Sequence, residues 1–157
     1  MVPRFSLSET SVSLERYLAN KWIRKHQTSE QEIANLFALS DRDIGQSQTP
    51  GLGPEWSFDI AYNAVVQAAT AALAAAGYVA ERANKHMRVL ECLEFTVGLH
   101  NNHVLFLDRC RKKRNTAVYE QVGGISDQEA GEMIQEAVDL REKVAKWMKE
   151  QHADLMP

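Results

Sequence analysis

The chain has 157 residues, of which 45% are apolar and 25% are charged, and its formal net charge is −3. This composition is that of an ordinary globular domain and excludes wholesale disorder, while the length leaves no room for two full-sized catalytic domains. Because positive and negative charges nearly balance, any binding of nucleic acid must come from a local basic patch.

The cysteines and the apolar stretches bear on the compartment. Cys92 and Cys110 have neither CxxC nor zinc-finger spacing, so we expect neither a structural zinc site nor a disulfide scaffold. The N-terminus lacks the apolar core of a signal peptide, and the most apolar stretch, residues 64–80, is dominated by alanine and interrupted by polar residues. We therefore expect a cytoplasmic protein that does not enter a membrane.

The scarcity of proline and of strand-favouring runs predicts long helices. The first helix is predicted to begin near Ser11 or Ser13 and to end before Gln27, with Ile23 among its apolar residues. We interpret residues 1–28 as an N-terminal helical appendage.

The second helix follows from a capping box. Ser29 and Glu32 have the spacing at which a hydroxyl and a carboxylate satisfy each other's backbone donors, so a helix is predicted from here to about Ser47.

The third helix is predicted from Glu55 to Ala76. Pro54 suits its first turn, and Gly77 can end it in a left-handed conformation. Its surface is apolar nearly all round and rich in alanine. We expect it to be the central helix, approached closely by its neighbours.

Three further helices complete the prediction, over residues 84–97, over residues 102–119, and from a second capping box at Ser126 and Glu129 through Met148. The predicted fold class is all-α, with an antiparallel up-down bundle of five core helices over residues 29–157, since short connections favour antiparallel neighbours.

The most informative residue is Arg114. Five of the six residues from Arg109 to Arg114 are basic. At about 100° per residue, Arg114 falls in the middle of the apolar stripe of its helix, whereas Arg109, Lys112 and Lys113 point away. An unpaired guanidinium on an apolar stripe is costly, so Arg114 needs a core carboxylate such as Asp43, a ring of carbonyls, a partner subunit or a phosphate.

Several segments resemble the HEPN family, whose small helical bundles occur in toxin–antitoxin systems and as partners of minimal nucleotidyltransferases. The resemblance extends from residue 29 to about residue 152. The segments are Ser-Asp-Arg-Asp-Ile at 40–44, Ala-Tyr-Asn-Ala at 61–64, Lys-His-Met-Arg at 85–88 and, most strongly, Arg-Asn-Thr-Ala-Val-Tyr at 114–119.

The resemblance implies a homodimer and a site around Arg114. Family members that cleave RNA without a metal carry an arginine, a polar residue and a histidine four to six positions after the arginine. Arg114 and Asn115 match this pattern, but Tyr119 stands where the histidine is expected. The tyrosine hydroxyl has a pKa of about 10, which makes it a poor general base at neutral pH.

Three functions remain open from the sequence. The leading one is a non-catalytic, RNA- or nucleotide-handling module that works with a toxin–antitoxin system or a nucleotidyltransferase. Its expected binding residues are Arg109, Lys112, Lys113, Arg114, Asn115 and, from its family position, His86. The first alternative is an active metal-independent ribonuclease that uses Arg114 with Tyr119 or His86. The second is a protein-interaction scaffold in which Arg114 is a structural ion-pair partner.

The remaining motifs argue against other chemistry. None of the five histidines has convincing metal-ligand spacing, and the Gly-Leu-Gly-Pro stretch at 51–54 lacks the lysine of a phosphate-binding loop. We expect no metal and no cofactor.

Overall fold

A computed structural model of the chain describes residues 7–119 and 124–156, with side chains from 13 to 116 and from 124 to 156. Within these residues the fold is all-α, as predicted, with one small antiparallel ribbon. The elements are α1 (Leu7–Ala19), β1 (Ile23–Lys25), α2 (Glu30–Ser47), α3 (Pro54–Ala75), β2 (Tyr78–Ala80), α4 (Lys85–Glu91), α5 (Asn101–Tyr119) and α6 (Asp127–Gln151).

Helix α3 lies at the centre of the bundle and packs against α2, α5 and α6. Its alanines are almost all fully buried, and their small side chains let neighbouring backbones come close. The hydroxyl of Ser40 on α2 reaches the backbone of α3 and donates to the carbonyl of Ala64 at 2.9 Å. Although α3 is strongly apolar, no helix among the described residues combines the length and hydropathy needed to span a membrane.

The two predicted helix caps differ. Ser126 and Glu129 form the complete capping box of α6, with both reciprocal hydrogen bonds present. Ser29 accepts a hydrogen bond from the backbone N–H of Glu32 at 3.1 Å and so caps α2. The reciprocal bond is absent, because the carboxylate of Glu32 instead accepts from Thr28 and bonds to His26 Nε2 at 2.8 Å.

The prediction of one helix up to Gln27 is wrong. Helix α1 ends at Ala19, and Lys21 turns the chain with a left-handed φ of 60°. The residues that follow form β1, which pairs antiparallel with β2 so that Ile23 lies opposite Ala80. Neither three-residue strand has the alternation of apolar and polar residues that predicts a strand. The ribbon forms because two distant segments of the chain come into contact.

The N-terminal segment of residues 1–28 is packed on the bundle in its described part. The side chains of Leu14 and Ile23 belong to the common core and are 4% and 1% exposed. The ring of Tyr17 packs edge-on against Phe95 at a centroid distance of 5.3 Å. This segment and the helices therefore share one apolar core.

The predicted helix over residues 84–97 is shorter in the structure. Helix α4 ends at Glu91 and continues only as a 3-10 turn over Cys92–Glu94. The chain then folds back, with the N–H of Leu99 donating to the carbonyl of Leu93 at 3.1 Å, and both leucines are buried. Burying Leu99 requires this reversal, which a continuous helix would prevent.

The packing of α3 makes a testable prediction. Ala68 is fully buried, so Ala68→Leu should lower the free energy of unfolding by about 1–3 kcal/mol through overpacking. Gly131→Ala on the exposed face of α6 is the contrasting control, because a Cβ there meets no atom within 4 Å. We expect it to raise stability by about 0.5–1 kcal/mol. Urea unfolding measures both, and an unchanged Ala68→Leu variant would contradict the packing argument.

Candidate functional site

Arg114 has a carboxylate partner in the structure. It lies in the last two turns of α5, opposite the first two turns of α3, where its Nε donates to Oδ1 of Asp59. The side chains of Arg114 and Asp59 are 18% and 12% exposed, so the ion pair is largely shielded from water. The charge that the sequence places on an apolar stripe is therefore compensated within the fold.

The expected pairing of Arg114 with Asp43 is wrong. Asp43 is buried on α2, where it accepts from Arg42 Nε at 3.0 Å and from the Gln67 amide at 3.1 Å. Gln67 lies eight residues after Asp59 on α3, which corresponds to about 12 Å along the helix. Helix α5 meets α3 at Asp59, two turns away from the place where Asp43 packs.

Tyr62 and His86 adjoin this ion pair. The guanidinium of Arg114 lies over the ring of Tyr62, with 5.7 Å between Cζ and the ring centroid. The Tyr62 hydroxyl is 3.3 Å from Nδ1 of His86, and the two groups share a hydrogen bond. Because Tyr62 lies one turn after Asp59 on α3, both partners of Arg114 come from the same face of that helix.

Burial and charge set the protonation of these groups. Burial lowers the pKa of His86 below its ordinary 6.5, and the positive charges of Arg114, Lys85 and Arg111 lower it further. Burial also raises the pKa of Tyr62. At neutral pH the imidazole is therefore uncharged and the phenol keeps its proton.

A second arginine of α5 is held in a similar way. The Nε of Arg111 donates to Oδ1 of Asp108 at 2.8 Å. Burial raises the pKa of Asp108, but the hydrogen bonds and charges of Arg111 and Lys112 outweigh it, so the pKa lies below its ordinary value. Within the described residues the terminal nitrogens of Arg111, and Nη2 of Arg114, make no hydrogen bond.

The structure separates the other predicted cations from Arg114. Lys112 is exposed and pairs with Asp108 at 3.3 Å. Arg109 and Lys113 line a different cavity of about 260 Å³ between α3, α5 and α6, together with Phe106. Lys113 pairs there with Glu129 of α6. Of the predicted binding residues, only Asn115 and His86 join Arg114.

Asn115 extends the ion pair outward, since its Oδ1 accepts from Nη1 of Arg114 at 3.2 Å. Tyr119 is the last residue of α5, but its side chain lies outside the described part of the structure. The expected role of Tyr119 stays a prediction.

Sequence reasoning missed Asp59, Tyr62 and Arg111 as members of the site. A signal for Asp59 was present, because it is one of only two carboxylates on the apolar, alanine-rich helix α3. A buried cation on one helix calls for a carboxylate on a facing helix, and Asp59 is the natural complement. We name Asp59, Tyr62, His86, Arg111 and Arg114 together the Arg114 cluster.

Other reactive groups do not add to this site. Among the described residues, no three His, Cys, Asp or Glu side chains are grouped closely enough to hold a metal ion. Burial, followed by the charge of Glu136, raises the pKa of the Cys110 thiol to about 11. This thiol is therefore protonated and weakly nucleophilic at neutral pH.

Comparisons with protein-family models, curated proteins and solved structures found no significant match to the chain. The motifs of the sequence and the geometry of the Arg114 cluster are therefore the features that bear on function.

The buried ion pair predicts a stability effect. Arg114→Met strands the Asp59 carboxylate, and we expect it to lower the free energy of unfolding by up to about 3 kcal/mol, because an uncompensated buried charge is costly. The double variant Arg114→Met/Asp59→Leu should recover most of this loss. Urea denaturation of the four proteins forms a double-mutant cycle.

Arg141→Met is the matched control for this cycle. Arg141 pairs with Asp41 at 2.9 Å, but the Asp41 side chain is 53% exposed. An exposed pair contributes about 1 kcal/mol or less, so the control should change little. Equal losses in Arg114→Met and Arg141→Met would contradict the special role of burial.

The lowered pKa of His86 predicts a pH dependence. Below about pH 6.5 the unfolded chain protonates this histidine while the folded chain resists it. The free energy of unfolding should therefore fall as the pH drops from 7 to 5. His86→Gln should make this fall shallower, as measured by urea unfolding at several pH values. Parallel pH curves for the variant and the wild type would contradict it.

Proposed function

We propose that the chain is a HEPN-like module that binds RNA or a nucleotide through the Arg114 cluster, as part of a toxin–antitoxin or nucleotidyltransferase-partner system, without efficient cleavage of its own. The observation that carries the proposal is the position of Arg114 over the ring of buried Tyr62, whose hydroxyl bonds to His86, while the positive charges of Lys85 and Arg111 also act on that imidazole. Phosphate is the ligand that such a group of cations favours.

The ion pairs leave binding groups available. In both arginines a carboxylate accepts from Nε, so the terminal nitrogens of Arg111 and Nη2 of Arg114 remain for a ligand. A guanidinium fixed by a carboxylate on one edge loses little side-chain entropy when it binds a phosphate with the other edge. Asp59 and Asp108 thus orient the two arginines and still leave them able to bind a ligand.

The ribonuclease alternative is favoured by the neutral imidazole of His86. A base at this position can accept the proton of a ribose 2′-hydroxyl while its oxygen attacks phosphorus, and Arg114 can stabilise the charge on the phosphate. The P–O5′ bond then breaks, and O5′ needs a proton from an acid. Tyr119 is the acid that the resemblance suggests, since it occupies the position of the family's histidine.

The first experiment measures binding and cleavage together. Purified protein is mixed with a labelled 12-nucleotide RNA in EDTA, and anisotropy and gel electrophoresis are recorded over a salt series. We expect salt-dependent binding without cleavage. Arg111→Gln should weaken binding at least roughly tenfold, because a hydrogen bond from a charged group contributes about 1.5–3 kcal/mol and each 1.4 kcal/mol is about a factor of ten.

The variants decide between the candidates. Lys146→Ala, which removes an exposed cation of α6, is the control for loss of charge and should bind as the wild type does. Cleavage that His86→Gln and Tyr119→Phe both abolish would establish the ribonuclease instead. Absence of RNA and nucleotide binding by the wild type would refute the proposal and favour the scaffold.

A further inference from the structure

The β1–β2 ribbon carries a second basic surface beside the Arg114 cluster. Lys21 and Arg24 lie near the N-terminus of the sequence, and Arg82 follows more than fifty residues later. Antiparallel pairing of β1 with β2 brings them together, with the N–H of Glu81 donating to the carbonyl of Trp22 at 2.9 Å. We name Lys21, Arg24 and Arg82 the basic ribbon surface.

The charge of this surface is poorly compensated. All three side chains are exposed, and within the described residues the one ion pair among them joins Arg24 to Glu81 at 3.3 Å. The cations line a hollow of about 590 Å³ together with the apolar side chains of Leu18 and Ile23. In a chain with a net charge of −3, this local excess of cations is a distinct feature.

The backbone at Lys21 adds an independent observation. Lys21 ends the turn after α1 with φ 60°, a left-handed conformation in which glycine is favoured and a lysine is strained. The preceding turn is closed by hydrogen bonds from Lys21 to Leu18 and from Trp22 to Tyr17, each 3.0 Å. The chain therefore carries an exposed cation at a position where the backbone favours glycine.

The basic ribbon surface lies close to the Arg114 cluster along the chain. Arg82 precedes His86 by four residues, so their Cα atoms are at most about 14 Å apart. Exposed Lys85 lies between them and is close enough to lower the pKa of His86. A flexible chain of phosphates can therefore follow the cations from one site to the other.

We propose that the basic ribbon surface binds the phosphate backbone of a single-stranded RNA that extends from the Arg114 cluster. This inference rests on the proposed function in one respect, since it takes the RNA to come from the Arg114 cluster. The basic ribbon surface itself does not depend on that function. A single strand suits the site because its flexible backbone can bring successive phosphates to cations that come from separate segments of the chain, Lys21 and Arg24 from one and Arg82 from the other.

The test uses a variant that removes charge without harming the fold. Lys21→Gly relieves the left-handed strain, so the double variant Lys21→Gly/Arg82→Ala should melt no lower than Arg82→Ala alone. Binding of a labelled oligouridylate 12-mer is measured over a salt series. The double variant should bind roughly tenfold more weakly, and its logarithmic salt slope should fall by about 1.4, or about 0.7 for each lost phosphate contact.

Lys143→Ala/Lys146→Ala is the matched control, since it removes two exposed cations from α6. An equal loss of affinity in the control would overturn the inference. So would an unchanged affinity of the ribbon variant while Arg111→Gln binds weakly. Either result would leave the proposed function standing. A loss in the ribbon variant without one in Arg111→Gln would support the ribbon surface and count against the Arg114 cluster. Equal displacement by polyglutamate, or no binding by the wild type, would overturn the assignment to RNA.

Discussion

The close approach of α2, α5 and α6 to the alanine-rich helix α3 is the constraint from which the remaining structure follows. Small side chains along α3 leave space for neighbouring helices, and Ser40 of α2 even bonds to the α3 backbone. Near the N-terminal end of α3, Asp59 and Tyr62 carry larger, polar side chains than the alanines that follow. These larger polar groups meet α5 at the place where it carries Arg114, so the same helix organises both the core and the candidate site.

The site combines structural and functional demands on one residue. Arg114 is held by Asp59 and covers Tyr62, which in turn bonds to His86. Burial keeps His86 uncharged, and the arginines reinforce this effect. Such an arrangement orients cations before a ligand arrives, which lowers the entropic cost of binding an anion. The charges of Arg111 and Arg114 both act on the uncharged imidazole, so the two proposed functions would use the same residues.

The short β1–β2 ribbon brings together the residues of the basic ribbon surface. Each strand has three residues, yet their pairing joins α1 to the turn before α4. Arg88 strengthens this junction, because its guanidinium lies 3.6 Å from the ring centroid of Trp22 and pairs with Glu91 at 2.9 Å. Without the pairing of β1 with β2, Lys21 and Arg24 would lie apart from Arg82. The fold thus brings Lys21, Arg24 and Arg82 around one hollow in a chain whose overall charge is negative.

The sequence by itself determined the all-α class, the central role of α3, the complete cap of α6 and the buried position of Arg114, because these depend on local periodicity and spacing. Only the tertiary structure decided that Asp59, and not Asp43, pairs with Arg114, since the choice depends on where along α3 each neighbouring helix packs. It likewise decided that residues after Ala19 form a strand and that His86 faces Tyr62. Contacts between distant segments leave no periodic pattern in either segment, and for that reason they could not be predicted from the sequence.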